Sequence, residues 1–182
     1  MAERLTRAYA AAEGAALGGV LTASSAGTRA VVGNPIEPSA GLVLRGLGGD
    51  ATGFVARQLV PRDIEKADLV LTMTRKHRDK VLQLSPRVMT RTFTLREAAA
   101  LLKAADDDDL AADPNLDSRA RLLSAVLTQR RGAGVVHRDR QRDDIPDPIG
   151  GSLDKFQKVG DAIAGALLPV LAALTARSVR PG

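Results

Sequence analysis

The chain has 182 residues, enough for one domain with its own core, and its 45% of hydrophobic residues are mostly Ala, Leu and Val with 2% aromatics. Cysteine is absent, which excludes disulfides, thiolate metal sites and a cysteine nucleophile within these residues. The net charge of +5 permits anionic partners, but the arginines are interspersed with acidic residues and no aromatics stand among them to stack on bases, so nucleic-acid binding is not expected.

Residues 2–13 carry Leu5, Ala8, Tyr9 and Ala12 at helical spacing. Residues 20–25 read as a buried strand that ends at the turn residues Ala26, Gly27 and Thr28. Pro35 and Pro38 punctuate a loop before a short helix through Leu42, Val43 and Leu47, which Gly48 and Gly49 stop. Pro61–Lys66 fits one or two further helical turns. The clearest strand is residues 67–73, a nearly continuous apolar run of the kind expected when both sheet faces are covered. A helix over Arg75–Leu84 comes next and is stopped by Ser85 and Pro86. Residues 88–93 then read as a third strand and residues 95–105 as a helix.

The aspartates at 106–109 form a solvated loop, because four adjacent carboxylates repel one another in a compact setting. Asn115 or Asp117 caps a helix reaching Gln129. Residues 131–151 are polar and irregular. Ser152 caps a last helix with Phe156, Val159, Ile163, Leu167, Val170, Leu171 and Leu174 on one side, which Pro169 should kink or break. No apolar run of about 18 residues indicates a membrane span, no signal-peptide pattern is visible, and a cytoplasmic location is expected. His77 and His137 stand in separate segments, so neither a metal nor a cofactor is expected.

The alternation predicts an α/β domain over residues 1–182, three-layer α/β/α around a short parallel sheet. Three strand segments are few for such a sheet, and the first helix has no N-cap residue before it. A strand and loop ahead of residue 1 would remedy both, and the chain is therefore expected to be truncated at its N-terminus.

Four segments in order resemble the low-molecular-weight protein tyrosine phosphatases. Met1, Ala2 and Glu3 are similar to the residues directly after that family's phosphate-binding loop of a cysteine, five residues and an arginine. Ser24 to Thr28 resemble its second strand and turn, and Ala56 to Leu59 with residues 67–73 resemble its middle. Asp147 and Pro148 with Gly150 and Gly151 resemble the general-acid loop.

The resemblance implies hydrolysis of phosphate monoesters, with phosphotyrosine in a protein or a small phosphate ester as partner. A cysteine thiolate at a helix N-terminus attacks phosphorus, and an aspartic acid protonates the leaving oxygen and then activates water. Asp147 would be that acid and Pro148 would restrict its loop; without the resemblance, an Asp-Pro pair reads as an ordinary turn. Ser25 would support the phosphate loop, or else satisfy backbone at a strand end. Arg57 reads as a structural ion-pair residue and His77 as a helix-surface residue.

Phe54 stands where many members carry a histidine. Val31 (or Val32) and Ile149 stand where aromatic walls line the family's phenyl-phosphate slot, a loss on the order of 1–3 kcal/mol of ring binding. The nucleophile and the loop arginine are not in these residues, so this chain is expected to be inactive by itself and partly molten. The alternative is a non-catalytic protein of the same fold that binds a partner. An arsenate reductase would need further cysteines.

Overall fold

The computed structural model describes residues 1–14, 21–103, 116–134 and 143–175. Val20, the aspartates at 106–109, Asn115 and His137 lie outside them. Helix α1 (Ala2–Ala12) begins from Met1, which supplies no side-chain cap, in line with the sequence. Helix α2 (Pro38–Gly46) begins with proline in its first turn, and the Glu37 carboxylate accepts from the Ala40 N–H at 2.7 Å. It ends at Gly48, whose φ of +84° only glycine adopts without strain. A side chain at Gly49 would collide with Leu44, since a Cβ there would lie 2.3 Å from Leu44 Cδ1.

After α3 (Pro61–Lys66), strand β1 (Val70–Thr72) pairs in parallel with β2 (Thr92–Thr94), Val70 opposite Thr92 and Thr72 opposite Thr94. Between them lie α4 (Arg75–Leu84), which Thr74 caps by accepting from the His77 N–H at 3.1 Å, and a 3-10 helix (Pro86–Arg91). Helices α5 (Leu95–Lys103), α6 (Leu116–Gly132) and α7 (Leu153–Thr175) complete the order.

The sheet separates two apolar layers, as the pleat requires. Leu69, Leu71 and Met73 join Phe93 in the main core, filled by α1, α5, α6 and α7. Val70, on the other face, packs with Ile64, Val81 and Val88. At the start of α5, Thr94 and Glu97 form a reciprocal cap: the Glu97 N–H donates to Thr94 Oγ1 at 3.1 Å and the Thr94 N–H to Glu97 Oε2 at 3.3 Å. Glu97 is 4% exposed and also accepts from Arg78 at 3.2 Å and from Arg131 at 3.0 Å. The Arg131 guanidinium lies 4.0 Å from the centre of the Phe93 ring.

Three expectations are corrected. The third strand is shorter than residues 88–93, because Pro86 opens a 3-10 turn that drives Val88 into the Ile64–Val81 cluster before the chain extends at Thr92. Residues 21–26 are not a laddered strand; the one bridge there is parallel, Gly27 opposite Gln58. Helix α7 runs unbroken through Pro169, with Leu167, Val170 and Leu171 buried on either side of it. By length and composition α7 could cross a bilayer, although no unbroken apolar run marks it in the sequence. Here its apolar stripe is buried in the core against α1, α2, α5 and α6.

Candidate active site

The loop from Asp144 to Ser152 is fastened to the carboxyl end of β1, where ligand sites form in parallel sheets. The Ile145 N–H donates to the Met73 carbonyl at 2.8 Å, and the Ile145 side chain is buried. Asp144 accepts from the Arg75 N–H at 2.7 Å, tying the loop to the start of α4, and Arg96 donates to the Asp144 carbonyl at 3.1 Å. From that anchor the chain turns out to Asp147, which is exposed.

The residues after Asp147 explain its presentation. Its Oδ1 accepts from the Ile149 N–H at 3.0 Å, an Asx turn that fixes the carboxyl group relative to the backbone. Pro148 restricts φ, and its carbonyl accepts from the Gly151 N–H at 2.8 Å. Gly150 has φ +74°, and a Cβ at Gly151 would meet the Pro148 oxygen at 2.9 Å. Both glycines are thus required by the turn, and Ser152 then caps α7 by accepting from the Lys155 N–H at 3.4 Å.

Ser25 lies on a different element and has a different partner. Its hydroxyl donates to Glu3, whose carboxylate is nearly buried and pairs with Arg7 at 2.8 Å. Arg7 also donates to the Ala23 carbonyl at 3.0 Å, while Arg4 donates to the Thr52 carbonyl at 2.9 Å and covers the Phe54 ring. The first two turns of α1 therefore clamp residues 23–25 on one side and residues 52–54 on the other. Sequence reasoning missed Glu3 as the partner of Ser25; the signal for it was a lone carboxylate in the first turn of a helix, close to two arginines.

Arg57 pairs with Asp63 at 2.6 Å, the structural role expected of it. Gln58 braces the turn at Thr28 and Ala30 through both ends of its amide. Val31 and Ile149 are 68% and 64% exposed and lie on separate loops. His77 is on the surface of α4, as expected.

Beside Ser25 a cavity of about 670 Å³ runs between residues 21–28 and residues 67–73. Side chains of α7 bound one face of it, Ile64 and Val81 the other, and Met1, Glu3 and Thr6 also border it. Ser25 and Arg57 line this cavity, whereas Asp147, Pro148, Val31 and Ile149 do not. Burial lowers the pKa of the Met1 amine below its usual value, against the pull of Glu3 in the other direction. Among the described residues no cluster of His, Asp and Glu could hold a metal.

A family model described as low molecular weight phosphotyrosine protein phosphatase matches residues 1–129. The loop at Asp147 lies beyond that match but within the span shared with solved structures. The Erwinia amylovora tyrosine phosphatase amsI superposes with a TM-score of 0.63 at 22% identity, covering 96% of this chain and 83% of its own. A low molecular weight protein tyrosine phosphatase from T. tengcongensis gives 0.62 at 22%, over 93% and 86%. The YwlE arginine phosphatase from Geobacillus stearothermophilus gives 0.60 at 19%, over 94% and 83%. At these identities the likeness is one of fold. No curated protein matches the sequence.

Proposed function

The chain belongs to the low molecular weight phosphotyrosine protein phosphatase family, and from that premise we propose that it forms the acid-bearing part of a cytoplasmic phosphomonoester hydrolase, with Asp147 as general acid and then general base. The observation that carries this reading is the anchored loop: Ile145 and Asp144 fix it to the carboxyl end of β1 and to α4, and the turn at Pro148 holds an exposed carboxyl group beyond that anchor. Such a group can protonate a leaving oxygen and later take a proton from attacking water. Ser25, held by Glu3 at the cavity, would support the phosphate-binding loop.

The nucleophilic cysteine is not among these 182 residues. In this proposal it is encoded ahead of Met1 in a cysteine-five-arginine loop, and the 182-residue chain by itself does not hydrolyse phosphate esters. Reading the coding frame upstream of Met1 tests this first; a frame without such a loop leaves a phosphatase-fold binding protein. Where the loop is present, the complete protein should hydrolyse p-nitrophenyl phosphate, the 182-residue chain should not, and Asp147→Ala should slow the complete protein.

A second reading of the substrate is favoured by the aliphatic side chains at Val31 and Ile149, both exposed. Without aromatic walls the site gives less preference to a phenyl ring than a phosphotyrosine site would. One solved structure of similar fold is an arginine phosphatase, and the second reading assigns a phosphorylated non-aromatic side chain as substrate. Comparing phosphotyrosine and phosphoarginine peptides as substrates discriminates the two, and a strong preference for phosphotyrosine would remove the second.

A further inference from the structure

A second cleft, of about 530 Å³, lies at the end of the sheet opposite the Asp147 loop. Asp68, two residues ahead of β1, borders it, as do Thr90 and Arg91, the last residues of the 3-10 helix before β2. The cleft is thus at the amino ends of both strands. Its other wall is a stripe of α6, where Arg121, Ser124, Thr128 and Gln129 recur at helical spacing. Hydroxyls fasten that stripe to the sheet: Ser124 Oγ donates to the carbonyls of Asp68 and Ala120, and Thr128 Oγ1 donates to the Thr90 carbonyl.

The donors around this cleft exceed the partners they have. Arg91 donates from Nη2 to the Glu65 carbonyl at 2.8 Å, while its Nε is out of contact with solvent and has no hydrogen-bond partner among the described residues. A buried N–H left unpaired carries a free-energy cost, which an accepting ligand oxygen removes. On the α6 wall, Arg121 pairs with Asp68, Nε to Oδ1 at 3.6 Å, and its side chain is 75% exposed. An exposed pair at that separation contributes little, so the Arg121 guanidinium can turn to a bound anion at small cost. Thr90 and Gln129, both exposed, add a hydroxyl and an amide. Ala125 is the one apolar residue on the lining, and no aromatic or branched aliphatic side chain is there to hold a ring or a hydrocarbon chain.

We propose that this cleft is an anion-binding site and that its ligand is a small polar phosphate, either free phosphate or the phosphate group of a polyol ester. Arg91 and Arg121 grip the phosphate oxygens from the sheet and from α6 by charge-assisted hydrogen bonds. Asp68 disfavours a bare anion and favours an ester, because its carboxylate can accept from a ligand hydroxyl. With one arginine on each wall, the bound phosphate bridges α6 to the amino ends of β1 and β2, and binding stabilises the fold. The site is separate from the loop at Asp147, which is fastened to the carboxyl end of β1.

Titration of the 182-residue chain with inorganic phosphate and with glycerol phosphate at constant ionic strength tests it, followed by amide NMR and by thermal melting. Amides of residues 68, 90, 91 and 121–129 should shift together and saturably, with a midpoint on the order of 1 mM, and the melting temperature should rise with ligand concentration. Arg121→Gln, at an exposed position whose change the fold tolerates, should weaken binding about tenfold or more, and Arg91→Gln should do the same. Chloride at the same ionic strength should produce neither effect. Tighter binding of glycerol phosphate assigns an ester as the ligand, and equal or weaker binding assigns free phosphate. No saturable shift, the same shifts with chloride, shifts confined to residues 24–28 and 57–59, or shifts unaffected by Arg121→Gln would each overturn the site. The result stands or falls independently of any catalytic role of Asp147.

Discussion

The two flanks of β1 are built differently. On the β2 side every level of interaction agrees: a parallel ladder, Thr72 Oγ1 donating to the Phe93 carbonyl at 3.3 Å, and a nearly buried Glu97 that joins a helix cap to two arginines. On the other side the neighbouring segment is attached by a few side chains and by one bridge at Gly27, across a cavity. Most partners of the first flank succeed one another closely in the chain, β1 to α5 spanning little more than thirty residues, and Arg131 of α6 joins them through Glu97. The second has no ladder to β1 among the described residues, and a cavity separates its segment from that strand. The ordered flank of β1 is therefore the β2 side.

Substitutions should expose that asymmetry. The largest effect is expected at Glu97: Glu97→Ala leaves Arg78 and Arg131 without their shared carboxylate and should lower stability by about 3–5 kcal/mol in chemical denaturation. A loss under about 1 kcal/mol would show that the β2 flank is not the ordered one. Ser25→Ala, which removes one donor from Glu3 on the cavity side, should lower stability by about 1–2 kcal/mol, less than Glu97→Ala. The reverse ranking would mean that residues 21–26 are as firmly held as β2.

A smaller effect concerns pH. Burial lowers the pKa of the Met1 amine from 8.0, so below 8.0 and above the lowered value the unfolded chain binds a proton that the folded chain does not. Stability of the 182-residue chain should therefore rise with pH through that window, and acetylation of the amine should flatten the slope. A slope unaffected by acetylation would show that the amine is solvated and that the cavity edge at Met1 is open. Smallest of all should be the effect of Asp147→Asn on stability, within about 0.5 kcal/mol, because the side chain is exposed and its turn is also held by Pro148, Gly150 and Gly151.

Much of this was legible in the residues. The run at 67–73 contains β1, although only Val70–Thr72 join the ladder, and the Gly48 stop of α2, the Ser85 and Pro86 stop of α4 and the Ser152 cap of α7 are local signals with which the structure agrees. Where the local signals mislead, distant partners decide. Val88 reads as strand because β-branched residues favour strands, yet Ile64 and Val81 take it into a different cluster. Residues 20–25 have the composition of a strand, but composition cannot say whether a neighbouring edge is there to pair with. The turn at Asp147 is visible as a motif. Its attachment to Met73 through Ile145 is not, because nothing in a sequence reports a hydrogen bond across seventy residues. The pairing of Ser25 with Glu3 left only a faint signal, a lone carboxylate near two arginines at the start of α1.

If Asp147 donates a proton to the leaving oxygen, the cost of losing it must depend on the leaving group. The protein from the complete reading frame and its Asp147→Asn variant would be compared on phenyl phosphate, whose leaving group needs that proton, and on p-nitrophenyl phosphate, whose leaving group needs it far less. The value of kcat/KM, which covers only the steps up to release of the leaving group, should fall by about 10²–10⁴-fold on phenyl phosphate and by much less on p-nitrophenyl phosphate. An equal loss on both esters, no loss on either, or a complete protein without activity would contradict proton donation by Asp147.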